Sequence, residues 1–476
     1  MMIDKKNKIP LVVDLDGTLL KTDSLLESLV LLFNHNIKLF FQSFLWLIRG
    51  KAFFKHQLSK YVTLNLDLLP FNKDVIEFCK KESKLRHIYL STGASYIIAK
   101  NVARRFYFIK KFFSSTKSFN NTGHNKLKTI KKKFKTFDYI GNSTADIAVW
   151  KQSNNSYIVG NNFKTKFLTL FCKNLKPISS NKIIKPIFNA IRIHQWIKNL
   201  LVFTPIIFSH SFFNITLIKN GSFIFIAFCL VCSSTYILND LIDLNSDRAH
   251  FKNKHRPFAN GDLNVSYGLI LSIILLSLSL YIASFIENLP SLIFLYFFSS
   301  LFYSYYFKKI LMFDCIFLSV LYVFRIVSAS VALNIHITEY FLFFSFFAFL
   351  SLAFLKRANE LVIIKNKLDR NEKVKNLSSR NYSIDDLNIL TIFGICSSLL
   401  SVVVLFNYVI NDVILNLYTN EKYLFLIILM YLFWNAHIWI TSNKKGIEYD
   451  PIVFAFTDKV SIFIIITILA SFVLSL

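Results

Sequence analysis

The sequence predicts a multidomain protein: an N-terminal α/β Rossmann-like domain with a helical cap, then an all-α polytopic membrane bundle of about nine helices. Three observations predict it. Of 476 residues, 54% are hydrophobic and only 17% charged, against about a quarter charged in soluble domains. The apolar excess is concentrated after about residue 198, in long runs almost free of charge. Before that point, charged and apolar residues alternate, and a short apolar strand ends in acids and a glycine turn. These features exclude a single soluble globule and a disordered or fibrous chain.

The N-terminal part, residues 1–165, opens on MMIDKKNKIPLVVDLDG. Its apolar run is too short for a secretory leader and leads straight into acids, so this part is expected to stay cytoplasmic. Leu11-Val12-Val13 reads as a buried parallel strand, with Asp14 and Asp16 at its end on the same side. One such acid can attack phosphorus while the other handles the proton. His87–Leu90 reads as a second strand, leading to the hydroxyls of Ser91 and Thr92, and Lys126 offers a cation for a phosphate. A third strand runs into Gly141-Asn142-Ser143-Thr144-Ala145-Asp146.

This order of motifs resembles the haloacid-dehalogenase (HAD) hydrolase superfamily over residues 9–160. The resemblance implies Asp14 as nucleophile, Asp16 as general acid/base, Thr92 as phosphate contact and Lys126 as charge clamp. It also implies Mg2+ held by Asp14, the Asp16 carbonyl, Asn142 and Asp146. One departure matters: the family places Asp where this chain has Asn142, and a carboxamide lacks the charge a hard cation prefers. A degenerate fold kept for regulation or docking stays open beside an active phosphatase. The insert at about residues 23–70 reads as a helical cap. Its stretch Leu25–Gly50 is unusually apolar, and contact with the membrane or the membrane domain is expected of it.

Residues 166–185 read as a basic linker, with Lys166, Lys173, Lys176, Lys182 and Lys185. From residue 186 to 476 the membrane domain follows. Candidate spans lie at 199–217, 222–239, 267–286, 289–307, 313–333, 338–355, 388–409, 422–441 and 457–475, long enough for a bilayer core of about 30 Å. With this count the basic loops (Arg248–Arg256, Lys308–Lys309, Lys356–Arg380, Lys444–Lys445) all fall on one side, and the loops between them lack Lys and Arg. That side is then cytoplasmic. Lys+Arg is 55 against Asp+Glu 28, a formal charge of +27. Because the charge is spread over these loops, it suits anionic lipid and phosphorylated substrates, and nucleic-acid binding is set aside. Cys229 and Cys232 lie in an apolar run and read as a buried thiol pair.

The most informative segment is Asn239 to Gly261, NDLIDLNSDRAHFKNKHRPFANG. On one continuous helix Asp240, Asp243 and Asp247 would fall within about 60° of arc. Three aligned carboxylates repel unless a divalent cation sits among them, and oxygen ligands suit Mg2+. The following Lys254 and Arg256 can grip phosphate oxygens. The bland alternative is a solvated acidic loop.

NDxxDxxxD followed by a basic RP segment resembles the UbiA superfamily of membrane prenyltransferases, over about residues 186–476. The resemblance implies a helical bundle with this motif at the cytoplasmic mouth of a cavity, in a bacterial cell membrane. Most members carry a second acidic motif; here the matching loop reads Lys356-Arg357-Ala358-Asn359-Glu360, then Arg380-Asn381-Tyr382. This variant resembles the branch containing decaprenyl-phosphate phosphoribosyltransferase, as do Arg192–Asn199 (with Lys198) and Asp450-Pro451. That branch implies a polyprenyl phosphate acceptor and phosphoribosyl diphosphate (PRPP) as donor. Lys308 at the cavity mouth and Arg325 within a span are further phosphate contacts, Arg325 with Asp314 as a possible salt-bridge partner. Alternatives are transfer of a polyprenyl group from its diphosphate to an aromatic acceptor, a transporter, and a phosphatase on a membrane anchor.

Overall fold

The computed structural model describes residues 8–160, 167–172, 175–180, 184–369, 381–410, 418–420, 422–446 and 450–476. Two compact units are present. The first comprises Met1–Ile191 together with Asp240–Leu271; the second comprises Arg192–Asn239 and Ser272–Leu476.

The first unit is built on a parallel sheet in the order β3-β2-β1-β4-β5-β6. Its strands are β1 (Leu11–Val13), β2 (Ile88–Ser95), β3 (Ile109–Ser115), β4 (Asp138–Gly141), β5 (Ser156–Gly160) and β6 (Leu175–Ser180). β1 pairs with β2 on one side and β4 on the other, and all three of its side chains are buried. Central parallel strands are covered on both faces, so an unbroken apolar run is what this position requires. The strand order reverses on either side of β1. That places the loops after β1 and β4 side by side at the carboxyl edge, where open parallel sheets form crevices.

Helices Ser24–His35, Ile37–Ile48 and Lys51–Tyr61 form the expected cap. Asp23 caps the first, accepting from the backbone N–H groups of Leu25 and Leu26, and Asn36 caps the second. Leu32, Phe54, Leu58 and Val62 make its core.

The segment read as a linker is corrected in part: Leu175–Ser180 is β6, parallel to β5. The reason is edge chemistry. Lys176 and Pro177 are exposed, and lysine and proline are tolerated on an outermost strand, where they look like linker residues in sequence. Residues 166, 173–174 and 181–183 of that segment lie outside the described residues.

Among the described residues six helices are long and apolar enough to cross a membrane: Ile215–Ile242, Val265–Ala283, Phe313–Leu333, Glu339–Asn366, Ile384–Val409 and Lys422–Lys444. Leu289–Tyr305 and Lys459–Ser475 are helices of 17 residues at two further expected spans. The first expected span, 199–217, is not a membrane helix. Arg192 adopts left-handed φ (56°), 3-10 turns run through Ile193–Phe203, and a five-residue helix Thr204–Phe208 starts afresh at Pro205. Lys198 and Asn199 are buried there and spend their side chains on interior partners. Cys229 and Cys232 are buried free thiols, as expected.

Candidate active site

The aspartate segment lies in the first unit. Helix Ile215–Ile242 stops before Asp243, which begins a short second helix, Leu244–Ala249. The expected single face of three acids is therefore broken at its middle member. Asp240 and Asp247 still converge, each 2% exposed, and they meet on one cation: Arg256 Nη1 lies 3.1 Å from Asp240 Oδ1 and 2.7 Å from Asp247 Oδ2. Asn253 Nδ2 donates to the other Asp247 oxygen at 2.9 Å. Burial, with help from Asp240 and Asp243, pushes the Asp247 carboxyl up to about 6. Among the described residues no three His, Cys, Asp or Glu side chains converge as a ready metal cage. The donor chemistry nevertheless fits a hard divalent ion: all three side chains offer carboxylate oxygens, and Arg256 balances only one of the three charges.

The motif is anchored from behind. Arg248, next to Asp247, makes a bidentate pair with Glu27 of the cap (Nη2–Oε1 2.7 Å, Nη1–Oε2 2.9 Å), and its Nε donates to the Ala259 carbonyl at 3.0 Å. The two side chains are 3% and 1% exposed. Lys21 Nζ pairs with Asp262 at 3.4 Å, and Asn34 Nδ2 donates to the Ile242 carbonyl at 2.6 Å.

The N-terminal acids form a second cluster in the same unit. Lys126 Nζ lies 2.9 Å from Asp14 Oδ2 and 3.1 Å from Asp146 Oδ1. Tyr139 Oη also donates to Asp146 Oδ1, at 2.6 Å; Asp146 Oδ2 accepts from the backbone N–H groups of Asn142 and Ser143 and from the Ser143 hydroxyl. Burial raises Asp14 to about 6 and, with Asp23 nearby, Asp16 to about 7. Lys126 and its hydrogen-bond donors hold Asp146 below the usual carboxylate range against its burial. Asp16 Oδ1 accepts from Ser24 N–H at 2.8 Å. Lys55, from the cap, donates to the Gly93 carbonyl at 2.8 Å, and with Asp16, Asp23 and Ser95 it lines a cavity of about 60 Å³. The Asn142 carboxamide packs against Gly17, whose φ of +70° and lack of a Cβ admit it. These residues do not fit the Mg2+ that the resemblance implies. Both Asp146 oxygens are saturated by donors, and position 142 offers no carboxylate, so the far side of such a site has no open charged oxygen. Thr92 is buried, and its hydroxyl accepts from Ala94 N–H at 3.0 Å.

The second unit holds a cation-rich cluster. Asp450 Oδ2 receives both Lys198 (2.8 Å) and Lys356 (3.0 Å), and these ammoniums pull the Asp450 carboxyl well below the usual range against its burial. Arg357 Nε binds Asp314 Oδ2 at 2.7 Å and its Nη1 reaches Glu360 at 2.9 Å, while Tyr382 Oη donates to Asp314 Oδ1 at 2.6 Å. Asp314 is therefore not the partner of Arg325. It sits at the start of helix Phe313–Leu333, roughly 16 Å of helix rise away from Arg325. Arg325 instead donates to Asn199 (3.0 Å), the Leu321 carbonyl (2.9 Å) and Tyr296 Oη (2.6 Å), with the rings of Tyr296 and Tyr322 each 5.1 Å from its guanidinium carbon. Lys308 donates to Asn239 at 3.4 Å.

The sequence reading thus finds Asp240, Asp247 and Arg256 in one cluster, Arg357, Glu360 and Tyr382 in a second, Lys198 and Lys356 in a third. Lys254 is exposed on a 3-10 turn, and Arg380 lies outside the described residues. Missed were Glu27, Lys55 and Tyr139, and the hub role of Asp450. Glu27 did carry a signal: an acid within the apolar run SLLESLVLLF is consistent with a first-turn acid and also with a buried cation partner.

The pattern of the UbiA prenyltransferase family matches residues 209–456. The chain is 29% identical to the uncharacterised protein y4nM of Sinorhizobium fredii over 478 aligned positions, 98% of this chain and 91% of that one. It is 31% identical to decaprenyl-phosphate phosphoribosyltransferase of Corynebacterium glutamicum over 179 residues, 37% of this chain and 54% of that protein. Among solved structures, a UbiA homolog from Archaeoglobus fulgidus bound to GPP and Mg2+ covers 60% of this chain and 99% of its own at 14% identity and a TM-score of 0.45.

Proposed function

Because the chain belongs to the UbiA prenyltransferase family and is a membrane enzyme of that type, we propose that it transfers phosphoribose from PRPP to a polyprenyl phosphate. One observation carries the choice. Around Asp450 two lysine ammoniums share a single carboxylate oxygen, and one of them, Lys356, opens the loop where the resemblance would otherwise call for a second acidic motif. Two cations against one acid suit a second phosphorylated substrate. The similarity to decaprenyl-phosphate phosphoribosyltransferase supports the same reading.

In the proposed reaction the C1–O bond to diphosphate breaks, a C1–O bond to the lipid phosphate forms, and diphosphate leaves. The attacking oxygen is already ionised at neutral pH, so no side chain has to remove a proton. An aromatic carbon acceptor would need a base for its ring proton. Asp240 and Asp247, with Asp243 beside them, are the proposed holders of Mg2+, which when bound neutralises the leaving diphosphate. Arg256 and Lys254 are assigned to phosphate oxygens, and Lys198, Lys356, Arg357 and Arg380 to the second anion. Glu360 holds Arg357 directly and Tyr382 holds it through Asp314, while Asn239, Lys308 and Arg325 are proposed as further phosphate contacts. The basic loops fall on one side, and the Glu27–Arg248 pair ties the N-terminal domain to the first of them, which supports a cytoplasmic N-terminal domain.

Purified protein in lipid nanodiscs is expected to convert PRPP and a short polyprenyl phosphate into a phosphoribosylated lipid plus diphosphate, and chelation of Mg2+ should stop it. Product formed only from an allylic diphosphate and an aromatic acid would transfer the assignment to aromatic prenylation.

For the N-terminal domain we infer a HAD-like fold whose acids no longer run a metal-dependent phosphatase; the cap's grip on Arg248 is its contribution. Phosphate release from p-nitrophenyl phosphate should stay at background with and without Mg2+. Mg2+-dependent release abolished by Asp14→Asn would restore the hydrolase reading.

A further inference from the structure

Helix Ile37–Ile48 has two apolar faces. Leu39, Phe40 and Trp46 pack on the cap core. On the other face Phe41 is 63% exposed, Leu45 62% and Ile48 82%, with Ile37 and Phe44 beside them. Positions 37, 41, 44, 45 and 48 recur at helical spacing and so form one stripe. Large apolar side chains in a continuous stripe mark a contact surface.

Three observations identify what covers it. The first is depth. Asn34, just ahead of this helix, donates to the carbonyl of Ile242, the last residue of a membrane-crossing helix; the stripe therefore begins where a membrane helix ends. The second is charge. Between Glu27 and Asp67 the chain contains no acid, while Lys38, Arg49, Lys51 and Lys60 supply cations. The third is an aromatic pair of the kind enriched at bilayer interfaces: Trp46 stacks on Tyr61 at 5.5 Å between centroids.

We infer that helix Ile37–Ile48 lies in the surface of an anionic phospholipid bilayer, with Phe41, Leu45 and Ile48 at the acyl boundary and the flanking cations on lipid phosphates. Neither the donor nor the acceptor of the transfer reaction enters this inference.

The test uses the full chain with Cys396→Ser, which removes the exposed free thiol. Single substitutions Leu45→Cys and Ile48→Cys are labelled with an NBD fluorophore in nanodiscs of phosphatidylcholine and phosphatidylglycerol. Tyr107→Cys, exposed just ahead of the edge strand β3, serves as the water-facing control. Labels at 45 and 48 are expected to shift to the blue and to lose most of their intensity when the lipids carry brominated chains, while the control does neither. Lys38→Glu with Arg49→Glu and Lys51→Glu should weaken the quenching, most in phosphatidylglycerol. Labels that remain accessible to aqueous iodide overturn the inference. Labels protected from iodide but untouched by brominated lipid also overturn it, and copy-to-copy cross-linking at Leu45→Cys would assign the stripe to a second chain.

Discussion

Glu27→Ala is expected to cost the protein about 3–5 kcal/mol of stability, because it strands a buried guanidinium. Arg248 is 8% exposed overall and both of its terminal nitrogens are committed to Glu27. Removing the acid leaves Nε on the Ala259 carbonyl and the remaining donors facing a hole. The damage reaches the chemistry because Arg248 directly follows Asp247. Thermal unfolding in detergent and Mg2+-dependent transfer should both fall. Exchanging both partners together, Glu27→Leu with Arg248→Met, should recover much of the stability, since replacing a whole buried pair is often neutral. A single Glu27→Ala variant that melts and turns over like the parent would show that the cap does not support this segment.

Asp247→Asn is expected to lower transfer by about 10²–10³-fold while the protein still folds and inserts. The carboxamide fills the same space; its oxygen can keep Arg256, and its Nδ2 can donate to Asn253 once that amide turns its own oxygen inward, so packing is preserved while one charge is lost. Asp240→Asn should behave alike, as the other carboxylate on Arg256. Initial rates over a Mg2+ titration check this: weaker Mg2+ dependence with an unchanged melting temperature is the expected signature. Parent-like rates in either variant would remove the acids from the mechanism.

Much of this architecture was legible because it rests on local pattern. The LVV run gives the central strand, and the run lengths give the membrane helices. The cap followed from the place and the apolar character of the insert after Asp23, while the capping of its helices by Asp23 and Asn36 is visible only in the structure. What failed was long-range. No pattern tells that Asp314 belongs to Arg357, forty-three residues away, or that Glu27 belongs to Arg248 across a separation of 221. Helix phase also misled at Asp243, since periodicity assumes a continuous helix and this one breaks at the motif. Span 199–217 was misread because hydropathy counts apolar residues and does not weigh Pro205 or a left-handed Arg192. The cation-rich character of the second unit's site was visible in KRANE, but Asp450, on which Lys198 and Lys356 meet, sits 94 residues from Lys356.

The grouping of Asp240–Leu271 with Met1–Ile191 has a consequence for biosynthesis. The nascent chain delivers the sheet and cap well before the aspartate segment leaves the ribosome, so that segment arrives to find its docking partner already built. Glu27 and Lys21 then wait as a template on which Arg248 and Asp262 settle. Separate translation of the two halves should therefore yield a late half whose aspartate segment has nothing to close upon until the early half is supplied.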